Sequence, residues 1–367
     1  MTVTSSGAGS GTLTYTRDES LGQKPQQPWA RRTPEFRIIN LVAVVVPIAI
    51  VGLLFWYTPI PAPILVTVIY FPLQLLAAVW AAWHLRGRKS TPDAVVMVLA
   101  IGFSIMTFII LGSILFSIAI RGFQALSVGF IFQNSLYISP STPLGWGGIG
   151  HAILGTFYIV LIATLIAVPL GIGTAVYITE VKGRFSAYVR FFVQAMSGVP
   201  SVVAGLFILT ILIYNGLFSQ SVITGALAYT ILMLPTVART TEEVLKLIPE
   251  DLRTGALALG STRARVVLQV VLPAARTGLV TATILGIGRV VGETAPLLLT
   301  ALSNDQTVLN PFNSTTASLP VYIFEKVALP FPDAVARAWG AALTLLIIVG
   351  LLFALARVLS VRRFAKK

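Results

Sequence analysis

The sequence predicts an all-α, polytopic membrane protein, and three observations lead there. Apolar residues fill 56% of the 367 positions and charged residues 11%, less than half the charged share of a soluble domain. The apolar residues gather in runs of about 20, the length a membrane-spanning helix needs. The basic residues fall almost entirely in alternate connecting segments, which is the charge pattern that orients a protein in a bilayer.

Taken in order, residues 1–37 are rich in Ser, Gly, Thr, Gln and Pro with no apolar run, and read as a disordered cytoplasmic tail. Spans are expected at residues 38–58, 63–84, 94–120, 151–179, 191–214, 219–238, 274–302 and 336–358. The first two form an N-terminal pair within residues 38–93. The other six make a core over residues 94–360 that includes a long cytoplasmic segment, 239–273, and residues 361–367 form a short basic tail. An even number of spans puts both termini on one side. Twenty-two of the 26 Lys and Arg lie in the tails and in the segments sharing that side; Arg121, Lys326 and Arg337 lie opposite, and Arg289 lies inside a span. Both termini are therefore expected in the cytoplasm. The opposite segments, 121–150 and 303–335, carry Phe, Tyr and Trp, which suits either an aromatic belt or a docking surface.

Composition also excludes. With no cysteine and two distant histidines, His84 and His151, disulfides, thiolate ligands and cysteine nucleophiles are out, and no catalytic, cofactor or metal site is expected. The net charge of +13 belongs to topology rather than to nucleic acid. No G-x-x-x-x-G-K-[ST] loop is present, and "GIGRVVG" lacks the dinucleotide pattern, so this chain is not expected to hydrolyse ATP.

The cytoplasmic segment "RTTEEVLKLIPEDLRTGALALGSTRARVVLQVVLPAA" reads as helix, turn, helix. Pro249 suits a first helical turn, Gly260 a left-handed ending and Ser261 the next cap. Leu252, Ala256 and Leu259 recur at i, i+4 and i+7, an apolar stripe that either packs on the chain's own helices or inserts into a soluble partner.

"GALALG" followed by "VVLP", with Pro273 thirteen residues after Gly260, resembles the coupling motif of ABC importer permeases. Thr254 and Gly255 stand where that motif has Glu and Ala. "SGVPSVVAGLF", "ARTTEEVLKLIP", "GRVVGETAPLLLTALSN" and "ARAWGAALTLL" are similar to permeases of the phosphate-specific (Pst) importer, of PstA type rather than PstC type. The resemblance implies a type I ABC importer permease fold in a bacterial inner membrane, with a six-helix core plus the two N-terminal spans. It implies a PstC-type permease partner, two PstB-type ATPase subunits holding ATP and Mg, a PstS-type binding protein and phosphate as cargo. Leu252, Ala256, Leu259, Gly260 and Pro273 would then be the ATPase-coupling residues.

The resemblance also implies a substrate path along Arg289, Glu293, Thr294 and Arg239. Arg289 and Glu293 are spaced i, i+4, so on one helix they can pair, which lowers the roughly 2.5–3.5 kcal/mol that a charged residue such as Arg costs at a span centre. Pro296 is expected to bend that helix beside Glu293, and Gly288 with Gly292 to offer a small face to a neighbour. A buried pair that only fixes helix register is the alternative to a phosphate-binding arginine. Arg239, after Pro235, fits either a second path position or a positive-inside anchor. A sulfate or molybdate importer, or a proton-coupled carrier using Glu293, are the alternative functions, although a carrier has no need of the coupling segment.

Topology is tested with single cysteines at Ser261 and Ser314. An impermeant maleimide applied from outside should label position 314 and spare 261, and the reverse pattern overturns the orientation.

Overall fold

The computed structural model describes residues 34–61, 64–312 and 314–362. The expected disordered tail lies, for residues 1–33, outside the described residues, as do residues 363–367 of the basic tail. The chain divides into two compact units, Met1–Gly112 and Ser113–Lys367.

In the first unit, α1 (Pro34–Tyr57) and α2 (Leu65–Arg86) pack together, and α3 (Thr91–Phe123) begins. Helix α1 already includes Pro34–Arg37, four residues before the expected span at Ile38, with Glu35 favourably placed near its N-terminal end. The Gln74 amide donates across to the Ala43 carbonyl at 3.3 Å. Most large apolar side chains of α1 and α3, such as Leu53, Phe103 and Phe108, are exposed, as lipid-facing residues are.

The second unit holds α4 (Val128–Phe132), α5 (Gly150–Val181), α6 (Ser186–Ser197), α7 (Ser201–Ile213), α8 (Val222–Lys246), α9 (Glu250–Ala258), α10 (Arg263–Val290), α11 (Ala295–Thr300), α12 (Leu319–Val327) and α13 (Pro332–Arg362). Among the described residues of the whole chain, seven helices are long and apolar enough to cross a membrane. The pair α6 and α7, bent by 105°, makes an eighth if counted as one span.

The expected spans and the observed helices differ most at three places, the first being the span expected over 191–214, which is broken between α6 and α7. The span expected to end at residue 238 continues through Pro235 to Lys246, since α8 is buried on most sides and packing outweighs the roughly 3 kcal/mol a mid-helix proline costs. The span expected over 274–302 is split: α10 runs on from Arg263, stops at Val290, and α11 restarts at Ala295.

The core is the contact of α5 with α8. Gly155, Ile159, Ala163, Ala167, Gly171 and Ala175 recur every four residues along α5, a largely small-residue stripe that lets two backbones approach closely. A Cβ on Gly171 would lie 2.9 Å from Val237 Cγ1 of α8, and one on Gly155 would overlap the Ala317 carbonyl oxygen. Ser221 caps α8 reciprocally with Thr224, and the Thr224 hydroxyl also donates to the Thr300 carbonyl at 2.8 Å, tying α8 to the end of α11. On α13, buried Arg337 donates through Nη2 to the carbonyls of Thr142, Pro143 and Trp146 at 2.8, 2.9 and 3.0 Å, pinning the loop between α4 and α5.

These contacts separate two glycines of one helix. Gly155→Ala should destabilise the detergent-solubilised protein by about 1–3 kcal/mol, the usual effect of overpacking. Gly173→Ala, where nothing lies within 4 Å of the added Cβ, should be neutral or slightly stabilising. Equal thermal midpoints for the two variants would contradict the packing.

Candidate functional site

Two breaks between helices meet on α8. At the first break, α6 ends at Ser197, and Pro200, with extended backbone at φ −59° and ψ 141°, starts α7 in a new direction. Proline has no N–H to continue the ladder and pushes the residue before it out of helical geometry. At the second break, residues 291–294 form a turn. The Glu293 amide donates to the Val290 carbonyl at 3.0 Å, and the amides of Leu297 and Leu298 donate to the Thr294 carbonyl at 3.1 and 3.2 Å. Helices α7 and α11 then pack tightly, because Gly205 leaves room for Pro296: a Cβ there would sit 2.7 Å from Pro296 Cα.

Non-helical backbone at membrane depth persists only where protein or trapped water satisfies it. Helix α8 supplies part of this through Tyr229, and also touches the first break through Arg239. The buried Tyr229 hydroxyl donates to the Glu293 carbonyl at 2.6 Å, and Arg239 Nη1 reaches the Ser197 hydroxyl at 3.5 Å, the limit of a hydrogen bond. Tyr229 was not singled out from the sequence, since nothing local marks a tyrosine whose partner is 64 residues away.

The break revises the expected Arg289 and Glu293 pair. Among the described residues Arg289 makes no ion pair or hydrogen bond and stands exposed on α10. The i, i+4 relation holds only on a continuous helix, and the helix ends at Val290 between them. Pro296 accordingly sits in the first turn of α11 instead of kinking a longer helix. Of the two glycines expected to form a small face, only Gly288 receives a neighbour, the Phe353 ring; Gly292 has nothing within 4 Å.

Arg239 and Arg289 are not brought together. Gly286 of α10 lies against Met233 and Val237 of α8, and Gly278 against Val244. In that antiparallel register Arg289 sits about two helical turns, roughly 10 Å, from the level of Arg239. Arg239 instead lines a polar cleft of about 140 Å³ with Arg190, Gln194, Glu242, Glu243 and Lys246. Buried Glu242 accepts from Arg190 Nε at 3.0 Å and Lys246 Nζ at 2.6 Å. The i, i+4 spacing of Glu242 and Lys246 was the legible part of that cluster.

The segment after α8 forms as expected, with changes in detail. Pro249 precedes α9 in extended backbone, Gly260 ends the turn at φ +82°, and Thr262 rather than Ser261 caps α10, its hydroxyl accepting from the Arg265 amide. Pro273 follows a wide π turn over Val267–Val271, where helical hydrogen bonds are already shifted, and the helix passes through it. The apolar stripe is split. Ala256 packs inward beside Ala175, Leu245, Val266, Val271 and Ala275, whereas Leu252 and Leu259 are 45% and 89% exposed. A nine-residue helix carries at most two faces, and the small residue is the one turned to the body.

The family described as "Binding-protein-dependent transport system inner membrane component" matches residues 167–364. Phosphate transport system permease protein PstA 1 of Mycobacterium tuberculosis (strain CDC 1551 / Oshkosh) is 43% identical over 204 residues, covering 55% of this chain and 67% of that protein. Phosphate transport system permease protein PstA of Haemophilus influenzae is 37% identical over 239 residues, 64% of this chain and 82% of that protein. The protein of the same name from Yersinia pestis is 37% identical over 256 residues, 69% of this chain and 83% of that protein.

Proposed function

The chain belongs to the binding-protein-dependent transport system inner membrane components and is a PstA-type permease of the phosphate ABC importer; from that premise we propose how its residues carry phosphate and take up the work of ATP hydrolysis. It is a multi-pass membrane protein that works as a transport subunit, with both termini in the cytoplasm. It pairs with a PstC-type permease, receives phosphate from a PstS-type binding protein and docks two PstB-type subunits, which bind ATP and Mg. No cofactor is held by this chain.

One observation carries the reading: Arg289 is exposed on a membrane-spanning helix, without a partner among the described residues, beside a break that holds Glu293 and Thr294. An arginine facing hydrocarbon is costly, so this face belongs against the second permease and a wet path between the two. The guanidinium fork matches phosphate oxygens. At about 4 Å and an effective dielectric near 20, one such charge pair is worth roughly 4 kcal/mol, enough to hold the anion and still release it. The Thr294 hydroxyl, which caps nothing, is free to donate to the same anion. Glu293 serves through its main chain, anchored by Tyr229. Arg239, nearer the coupling segment and beside the cleft, is a second cationic station on the cytoplasmic side.

The docking surface is the outward face of α9, carried by Leu252 and Leu259, with Gly260 and Pro273 shaping its exit. Ala256 holds that helix to the body.

In proteoliposomes containing the whole importer, Arg289→Ala should lower phosphate uptake about 100-fold or more, the loss of about 3 kcal/mol. Subunit assembly and basal ATP hydrolysis should persist, and Glu293→Gln should impair uptake less. Near-normal uptake by Arg289→Ala contradicts the path. Leu259→Asp should release the ATPase subunits while the permease pair still inserts; copurification at the usual stoichiometry contradicts the docking face.

A further inference from the structure

Helix α9 has no buried residue, and its apolar hold on the rest of the chain is essentially the methyl of Ala256. It is joined to α8 by three residues and to α10 by a four-residue turn. If the ATPase subunits push on such a helix, it can tilt in place unless something fixes it to the spans. The one side chain built for that is Arg253. Its Nε donates to Glu180 Oε2 at 3.0 Å and its Nη2 to Glu180 Oε1 at 2.8 Å, a bidentate pair. The same Nη2 donates to the Leu245 carbonyl at 2.9 Å, and Nη1 donates to the Ile248 carbonyl at 2.7 Å and to Glu250 Oε2 at 3.2 Å. A guanidinium has five N–H donors, and these five bonds engage all of them.

The partners lie on different elements. Glu180 is in the wide π turn that ends α5, with a side chain 7% exposed. Leu245 and Ile248 offer main-chain carbonyls where α8 ends, and a terminal carbonyl of this kind lacks a full helical partner. Glu250 belongs to the first turn of α9 itself. The Glu180 pairing also holds the guanidinium pKa above its ordinary value, so the tie stays charged.

We propose that Arg253 is the positioning residue of coupling: it makes α9 move as one body with the cytoplasmic ends of α5 and α8, so that displacement of the docked helix reaches the spans. This rests on the reading of α9 as the docking helix. A lysine cannot replace it, because one ammonium has three donors and no fork.

The test uses the complete importer in proteoliposomes, with phosphate taken up per ATP hydrolysed as the readout. Wild-type transport in the same preparation establishes the underlying function separately. In Arg253→Met the ATPase subunits should stay bound through Leu252 and Leu259, ATP hydrolysis should continue, and the ratio should fall about tenfold. Glu180→Gln, which keeps the shape and one acceptor, should lower the ratio less, and Arg253→Lys should fall between the two. An unchanged ratio in Arg253→Met overturns the proposal. So does loss of the ATPase subunits from both Arg253→Met and Glu180→Gln, which would make the tie a condition of docking. Should Arg253→Met fail to assemble, Glu180→Gln decides alone: a ratio equal to wild type rejects the transmitting role.

Discussion

Main-chain N–H and C=O groups inside a bilayer find no water, so a chain that breaks its helices there must satisfy the exposed groups from its own side chains and neighbours. That constraint organises the second unit. Helix α8 packs at both breaks: the Tyr229 hydroxyl serves the Glu293 carbonyl at one, and Arg239 reaches the side-chain hydroxyl of Ser197 at the other. It can sit close enough to do so because α5 presents mostly small residues at every fourth position. The breaks in turn decide what α10 exposes. A continuous helix would have set Arg289 and Glu293 against each other; a helix that stops at Val290 leaves the arginine without a partner among the described residues.

The same economy of contact recurs at the end of the unit that carries α9. Helix α9 is polar or exposed almost all round, and the body grips it by an alanine methyl and a guanidinium. Leu252 and Leu259 are thereby left outward on a helix whose orientation is fixed from behind. Exposure and rigidity, which usually oppose each other, are supplied by different side chains.

The sequence made the spans legible because hydrocarbon thickness imposes a length and translocation imposes a charge asymmetry, and both survive in composition. The turn at Gly260 was legible for a local reason too: its left-handed backbone at φ +82° suits glycine. What stayed hidden depends on residues far apart in the chain. Pro235 lies inside the span expected over 219–238, and only the packing around α8 shows why the helix runs on through it to Lys246. The coil between Val290 and Ala295 looks helical by hydropathy, and the bond that stabilises its turn comes from Tyr229. Ala256 and Leu259 share a stripe on paper, and which of them turns inward is decided by the cluster of Ala175, Leu245, Val266, Val271 and Ala275. Arg253 and Glu180, 73 residues apart, carry no local sign of each other.

The contacts of Arg337 bear on the order in which the molecule can be made. Its guanidinium is the tie between α13, at the far end of the chain, and carbonyls of Thr142, Pro143 and Trp146, nearly two hundred residues earlier. Synthesis runs from the N-terminus at about 5–20 residues per second, so the loop before α5 waits on the order of ten seconds or more for the side chain that holds it. During that interval its carbonyls must be served by water. This end of the second unit therefore closes only once α13 is in place, and a chain released before α13 would leave that loop untied.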